Sequence, residues 1–361
     1  MDLNKIFIKS ACPTKIGGQA VLEGIMMKGA DRMAVTVRKP DGGMHVKIDR
    51  IPAQSKWMKV PVMRGVVAFM SSLVTGTKTL MYSAEVLEEY DTEMEKDRFT
   101  IWLEKRFGAK GAMDVMLYFS VILALVFTIG IFIIFPTAAV NIFQLITTNE
   151  IALNLLEGVF RIVLFVAYVV LIARMKDIRR VFEFHGAEHK TIHCYENGLP
   201  LTPENCKAYA PLHPRCGTSF LMFVMVISLL LFSLLGWPDL VWRITSRLLL
   251  IPLIAGLSYE LLRWAGRSDS WLVKILSLPG LALQKLTTKE PDEKQLEVAI
   301  VSMKAVLNTS QEPEAFGKFE LEPGRLELWD NEKAAPRTAA FDNAPETGGI
   351  AKADGIRGIA G

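Results

Sequence analysis

Residues 115–135 read VMLYFSVILALVFTIGIFIIF, and this stretch decides the fold class. It carries no charge and is followed by Pro136. A hydrocarbon core about 30 Å thick is crossed by roughly 20 apolar residues in a helix, so the run predicts a transmembrane span that stops at the proline. Three more runs of similar character follow: Ile151–Ala173, Ser219–Leu235 and Val241–Leu262. The second span contains Glu157 and Arg161, four apart, a spacing at which the two pair with each other inside hydrocarbon. The fourth contains Pro252, Gly256 and Glu260. Gly236-Trp237-Pro238-Asp239 makes the last two an antiparallel hairpin.

The fold class read from this pattern is an α-helical polytopic membrane protein with about four transmembrane helices and a small β-rich N-terminal cytoplasmic unit. Residues 1–55 form the β-rich unit, and 56–110 an amphipathic helical segment. Residues 115–173 form the first helix pair, 174–218 a histidine-rich cytoplasmic loop, and 219–265 the second pair. An interfacial segment and C-terminal helix follow over 266–309, then a disordered tail over 310–361 that is rich in Ala, Gly, Pro and charge. In the first unit, Ala34–Arg38 and Met44–Ile48 flank Pro40-Asp41-Gly42-Gly43, which is hairpin chemistry. Gly17-Gly18-Gln19-Ala20 reads as a turn in preference to a ligand-cradling loop, and Glu23 as a solvated strand residue or a candidate ligand or base.

Bulk numbers agree with a membrane protein. Hydrophobic residues make up 51% and the mean hydropathy is +0.28. A net charge of +3 gives no electrostatic case for nucleic acid. Cys12, Cys194, Cys206 and Cys216 lack the C-x-x-C spacing of a redox motif or a zinc ribbon. The N-terminal apolar run is broken by Lys9 and does not read as a secretory signal. Lys105, Arg106 and Lys110 precede the first span, Arg174, Lys176, Arg179 and Arg180 follow the second, and Arg263 and Arg267 follow the fourth. The positive-inside rule then puts both termini and the 174–218 loop on the cytoplasmic side of the inner (plasma) membrane, although Arg243 and Arg247 argue the other way. In that reducing compartment the cysteines are thiols or metal ligands.

The chemistry concentrates in residues 183–196, EFHGAEHKTIHCYE. On a helix, residues four apart share a face, so His185 and His189 can hold one metal ion. Glu188 beside them is placed to act as general base toward water. Solvated surface histidines at the same spacing are the plain alternative. His193 lies about 12 Å along the axis from His185, too far for the same ion. Downstream, His213-Pro214-Arg215-Cys216 offers His213 or Cys216 to complete the shell, and Arg215 to bind an anionic group. A loop anchored to lipid headgroups is the other reading of that run. Glu260 is a third-ligand candidate, with an ion pair to Arg263 as the competing account.

GGQAVLEGIMM, EFHGAEHK, YENGLPLTPEN, HPRCGTSF, AGLSYE and LPGLALQKLTTKEPDEKQLEVAI together resemble the YqhQ-like family of bacterial membrane proteins over residues 15–305. The resemblance implies a metal-dependent enzyme of unknown reaction, with His185, Glu188, His189, His213, Arg215 and Cys216 at its motif positions. The expected function is a metal-dependent hydrolase at the cytoplasmic membrane face. Glu188 and Arg215 are catalytic, and His185, His189, His213, Cys216 and Glu260 supply metal ligands for a divalent ion: zinc, or else iron or manganese. Its expected partners are the lipid bilayer and a membrane-protein or lipid-linked substrate. The alternative is a non-catalytic scaffold or assembly factor with a structural metal or polar site. Solute transport has less support, because the two helix pairs show no internal repeat.

Overall fold

The computed structural model describes residues 14–52, 59–90, 98–236, 239–265, 270–308, 310 and 312–328. Cys12, Trp237 and Pro238 of the expected turn, Arg267, and the expected tail from 329 onward lie outside the described residues.

The N-terminal unit is an antiparallel sheet: β1 (Gly17–Val21), β2 (Gly24–Lys28), β3 (Arg32–Arg38) and β4 (Met44–Arg50) pair in chain order. The β3–β4 turn forms as read. Lys39 N–H donates to Gly43 O at 2.9 Å, and Gly42 takes φ +88°, which glycine adopts without strain. Gly17–Ala20 is not a turn but most of strand β1. Its glycines serve a close approach instead, described below. A fifth strand, β5 (Gly317–Leu321), pairs antiparallel with β4, so the expected disorder does not begin at residue 310. Leu321 is buried in the core at the end of this strand, and Phe319 packs half-buried against it.

Side chains alternate across the sheet with period two. Ile25, Met27, Ala34, Met44, Val46 and Ile48 face one way, onto α10 (Glu293–Leu307) and α5 (Lys176–Glu196). Met26, Val35 and Val37 face the other, onto Val86 and Tyr82 of α1 (Met63–Glu88). Helix α10 starts with a capping box, Asp292 with Gln295, and buries Leu296, Ile300 and Met303. It is the centre of the core, not a surface helix.

Among the described residues, three helical stretches are long and apolar enough to cross a membrane: Tyr118–Leu145, Glu150–Ile172 and Leu240–Ala265. The first comprises the end of α2 (Arg98–Ile129), a π turn (Gly130–Ile134), α3 (Phe135–Asn141) and one 3₁₀ turn. Pro136 therefore does not end the span. Proline offers no N–H to the carbonyl four residues back, and that carbonyl, Phe132 O, instead accepts from Arg161 Nε at 2.8 Å. The π turn lets the helix continue past the ring. The second stretch is α4 (Glu150–Ile172) and the third α8 (Leu240–Ala265). The expected third span is α7 (Gly217–Ser233), an apolar helix of 17 residues and the shortest of the four. Helix α9 (Trp271–Thr287) packs on α7 so tightly that a Cβ on Gly280 would lie 2.6 Å from Ser219 Oγ.

Arg243 and Arg247, which opposed the charge rule, are buried within this bundle. Arg247 Nη1 lies 2.7 Å from Glu157 Oε1, and Arg161 Nη2 reaches the same oxygen at 2.7 Å. Thr137 Oγ1 donates to it at 2.8 Å. Arg247 thus answers a buried carboxylate and Arg243 donates to Asn141 Oδ1 at 3.1 Å, so both have partners inside the bundle.

Candidate metal centre

Helix α5 presents His185, Glu188, His189, His193 and Glu196 along one face, spaced by three and four. That face is closed by the backbone of β1, by the 208–216 segment and by the end of α9. Gly186 makes one of these approaches possible: a Cβ there would lie 2.0 Å from Lys289 O. Gly186→Ala is therefore expected to force α5 off the 287–289 backbone at a cost of about 1–3 kcal/mol. Thermal unfolding followed by intrinsic fluorescence reads this, and an unchanged melting temperature would refute the contact.

The two leading histidines are oriented alike. His185 Nδ1 lies 2.8 Å from Thr287 O, and His189 Nδ1 lies 2.6 Å from Pro211 O. A carbonyl only accepts, so each Nδ1 carries a hydrogen, and in the neutral ring the lone pair is on Nε2. His185 Nε2 faces Cys216 Sγ at 3.2 Å. His189 Nε2 is buried and has no hydrogen-bond partner, and neither has Glu188 Oε2. The ligand atoms of His185, His189 and Cys216 lie within 4.8 Å of one another. Cys216 is also the N-cap of α7, where its sulfur accepts from Thr218 N–H at 3.4 Å.

Gly18 closes the site from β1. A Cβ on it would lie 3.0 Å from Glu188 Cδ, and its N–H donates to the Glu188 carboxylate. Burial pushes Glu188 above the usual carboxylate range, against the pull of His189 and His185. Burial alone would lower His185, but the Cys216 charge and hydrogen bond, then Glu188, raise it to about 9. Burial would raise Cys216, and the charges of His189 and His185 overcome it and hold the thiol well below its ordinary value.

The remaining expected residues form a second network alongside. His213 N–H donates to Gln284 Oε1, and Gln284 Nε2 donates back to His213 O, both at 2.9 Å. His213 Nδ1 accepts from Arg215 N–H at 3.2 Å, so its lone pair is used and its Nε2 faces Glu196 Oε2 at 3.6 Å. It touches the His189 ring, at 5.7 Å between centroids, without offering the centre a ligand atom. Arg215 is paired with Glu196, whose other oxygen accepts from Thr14 N–H at 2.9 Å. Glu260 is not at the centre. It accepts from Arg64 Nε at 2.6 Å and from Val62 N–H at 3.2 Å, and neither a metal role nor the Arg263 pair describes it. Glu196, Gln284 and the Thr287 and Pro211 carbonyls were missed from sequence, and Gly18 was read as part of a turn in preference to a ligand-cradling loop. Glu196 alone carried a signal, lying three residues past His193 on the same face.

His193 Nε2 donates to Leu212 O at 3.0 Å, and its ring stacks on Tyr209. Burial, then the nearby His213, holds its pKa down at about 3. An unfolded histidine titrates near 6.5. Its neutral form thus supports the fold fully above about pH 6.5, and that support drains away as pH falls toward 3. Glu196, lowered by its partners despite burial, adds acid sensitivity only below the ordinary carboxylate value of about 4.3. Between pH 6.5 and 5, His193→Phe is expected to lose less melting temperature than the natural chain. Equal slopes would show that His193 is not the group responsible.

Residues 60–309 match the model of the family described as "Protein of unknown function (DUF1385)". The chain belongs to this family. A DUF1385 relative in Bacillus subtilis (strain 168), described as "Uncharacterized protein YqhQ", is 34% identical over 303 residues, covering 83% of this chain and 94% of that protein. No solved structure matches the chain. The DUF1385 match spans α1, all three long apolar stretches, the His–Cys centre and α10, while strands β1–β4 lie before it.

Proposed function

We propose that this chain is a membrane-embedded, metal-dependent hydrolase whose centre is His185, His189 and Cys216. One observation carries the reading. Both histidines give their Nδ1 hydrogen to a backbone carbonyl and leave Nε2 toward a common space with a cysteine sulfur. Metal-ligating histidines are fixed in this way by outer-shell acceptors. The donor set fits zinc. Bonds of about 2.0 Å to nitrogen and 2.3 Å to sulfur in a tetrahedron put ligand atoms about 3.5 Å apart. The His185–Cys216 pair, at 3.2 Å, is near that separation. Three protein ligands leave a fourth position open, the pattern of catalytic and not of structural zinc.

A bound divalent ion would supply Lewis-acid polarisation of the reacting groups. The chain's own residues supply the rest. Glu188, with Oε2 unpartnered, accepts a proton from water, and the Gly18 N–H holds the other part of its carboxylate in place. Arg215, 28% exposed, meets an anionic group of the substrate from the outer side of the Glu196 pair. The substrate class proposed is a lipid-linked compound or a membrane peptide, on the cytoplasmic face of the inner membrane.

The experiment is metal analysis by plasma mass spectrometry of protein purified in detergent without a histidine tag. Near-stoichiometric zinc, iron or manganese is expected, absent from a His185→Ala, His189→Ala double variant. Folded protein that takes up no metal even on reconstitution would end the metal reading. The thiolate–imidazolium geometry of Cys216 and His185 at a helix N-terminus would then favour a cysteine nucleophile. That second reading expects stoichiometric alkylation of Cys216 by iodoacetamide, lost in His185→Ala.

A further inference from the structure

Next to the metal centre, a groove of about 450 Å³ runs between α1, α7 and α8. Its walls include Phe69 and Leu73 of α1, Phe220 of α7 and Tyr259 of α8. Phe69 and Phe220 meet across it with ring centroids 5.8 Å apart. Its volume falls in the range of small-molecule sites, roughly 300–1,000 Å³. Its lining also includes Gln19 of β1, Gly217 of α7, and Ser72 and Thr77 of α1. Gln19 follows Gly18, which touches Glu188, and Gly217 follows Cys216. The groove therefore passes one residue from the centre on both β1 and α7, although no residue of the centre lines it.

Its other walls belong to the apolar helix surfaces. Helix α8 is one of the three long apolar helices, and α1 lies against it through glycines: a Cβ on Gly65 would stand 2.8 Å from Gly256 Cα. Beside the groove, α1 turns outward Met70, Leu73 and Val74, each about half exposed. A contiguous apolar face of this kind is unfavourable in water and neutral in hydrocarbon. The groove is thus continuous with the surface that a bilayer would solvate, and its lining matches a hydrocarbon chain and not a peptide backbone, which would need hydrogen-bond partners along its length.

The geometry points to this groove as the berth for the hydrocarbon chain of a lipid-linked substrate, with the hydrolysable end delivered to Glu188 and Cys216. The assignment rests on the hydrolase reading and narrows its substrate to a lipid. Arg215, one residue before Cys216, suits an anionic linkage such as a phosphate ester.

The test uses full-length protein in vesicles of phosphatidylethanolamine and phosphatidylglycerol. A trace of the phosphatidylglycerol carries a diazirine near the end of its acyl chain. After irradiation, peptide mass spectrometry is expected to find label on Phe69, Leu73 and Tyr259. Ser72→Trp and Thr77→Trp each fill the groove from an exposed position of α1. Either is expected to cut groove labelling about tenfold, the discrimination that excluding a few methylenes gives. Labelling of Leu123, on the exposed face of α2, should stay unchanged. Groove residues labelled no more than Leu123 and indifferent to both tryptophans would overturn the proposal, as would a protein segment or second copy cross-linked there. Metal analysis on the same samples separates the two readings. Metal without groove labelling removes the lipid berth alone. Groove labelling without metal removes the hydrolase and leaves a lipid site.

Discussion

In the proposed hydrolase, Glu188→Gln is expected to keep the metal and lose turnover. Glutamine fills the same volume and still offers Gly18 N–H an oxygen, so α5 and β1 have no reason to move. What it lacks is basicity. Position 188 is 5% exposed, Oε2 has no partner of its own, and the carboxyl feels the charges of His189, His185 and Cys216. General bases contribute about 10²- to 10⁴-fold to rate, so turnover of the labelled lipid pool in vesicles should fall by at least about a hundredfold. Metal stoichiometry, measured on the same preparation, should equal that of the natural chain. Metal lost together with turnover would make Glu188 a ligand. Turnover kept would remove it from the chemistry altogether.

Glu157→Leu is expected to produce the largest loss of stability in the molecule. Glu157 Oε1 is the shared acceptor for Arg161, Arg247 and Thr137, drawn from α4, α8 and α3. Glu157 is 1% exposed and Arg247 3%. Removing one partner of a buried pair costs about 3–5 kcal/mol because the other charge stays behind, and here two guanidiniums would be left facing each other. At roughly 2–4 °C per kcal/mol for a chain of this size, melting in detergent should fall by about 10 °C. Glu157→Gln keeps an acceptor and should fall less. Arg247→Met added to Glu157→Leu should recover part of the loss. Melting within a degree or two of the natural chain would show that the network is ornamental to the fold.

Local signals in the sequence were reliable where one segment decides its own state. An uncharged run such as 115–135 has to be a buried or lipid-facing helix, and Pro-Asp-Gly-Gly has few conformations other than a tight turn. The His185–Glu188–His189 face was legible because helical spacing alone defines it. Partnerships across the chain were not. Nothing near Glu260 announces Arg64, 196 residues away. Nothing near residue 317 announces that β4 has an open edge for Gly-Lys-Phe-Glu-Leu to join. Pro136 was misread because the rule that proline stops helices assumes no outside donor for the released carbonyl, and Arg161 is one. His213 and Cys216 stood equal in sequence; Cys216 Sγ stands 3.2 Å from His185 Nε2, whereas His213 Nδ1 accepts from Arg215 N–H.

If the long apolar helices cross a bilayer, the pairing of β5 with β4 makes the number of crossings a question of parity. A chain that leaves a sheet on one side of a bilayer and later rejoins the same sheet must traverse the bilayer an even number of times. The same holds for each half of the journey, because α5 packs into the core of that sheet between them. From β4 to α5 the long apolar stretches are 118–145 and α4, which make two. From α5 to α10, among the described residues, α8 is the one helix long and apolar enough to cross, and one is odd. If α8 traverses, α7 must be its return, and its 17 residues rise about 25 Å, close to the thickness required. The five residues of a C-terminal strand thereby constrain the path of helices more than 80 residues before it.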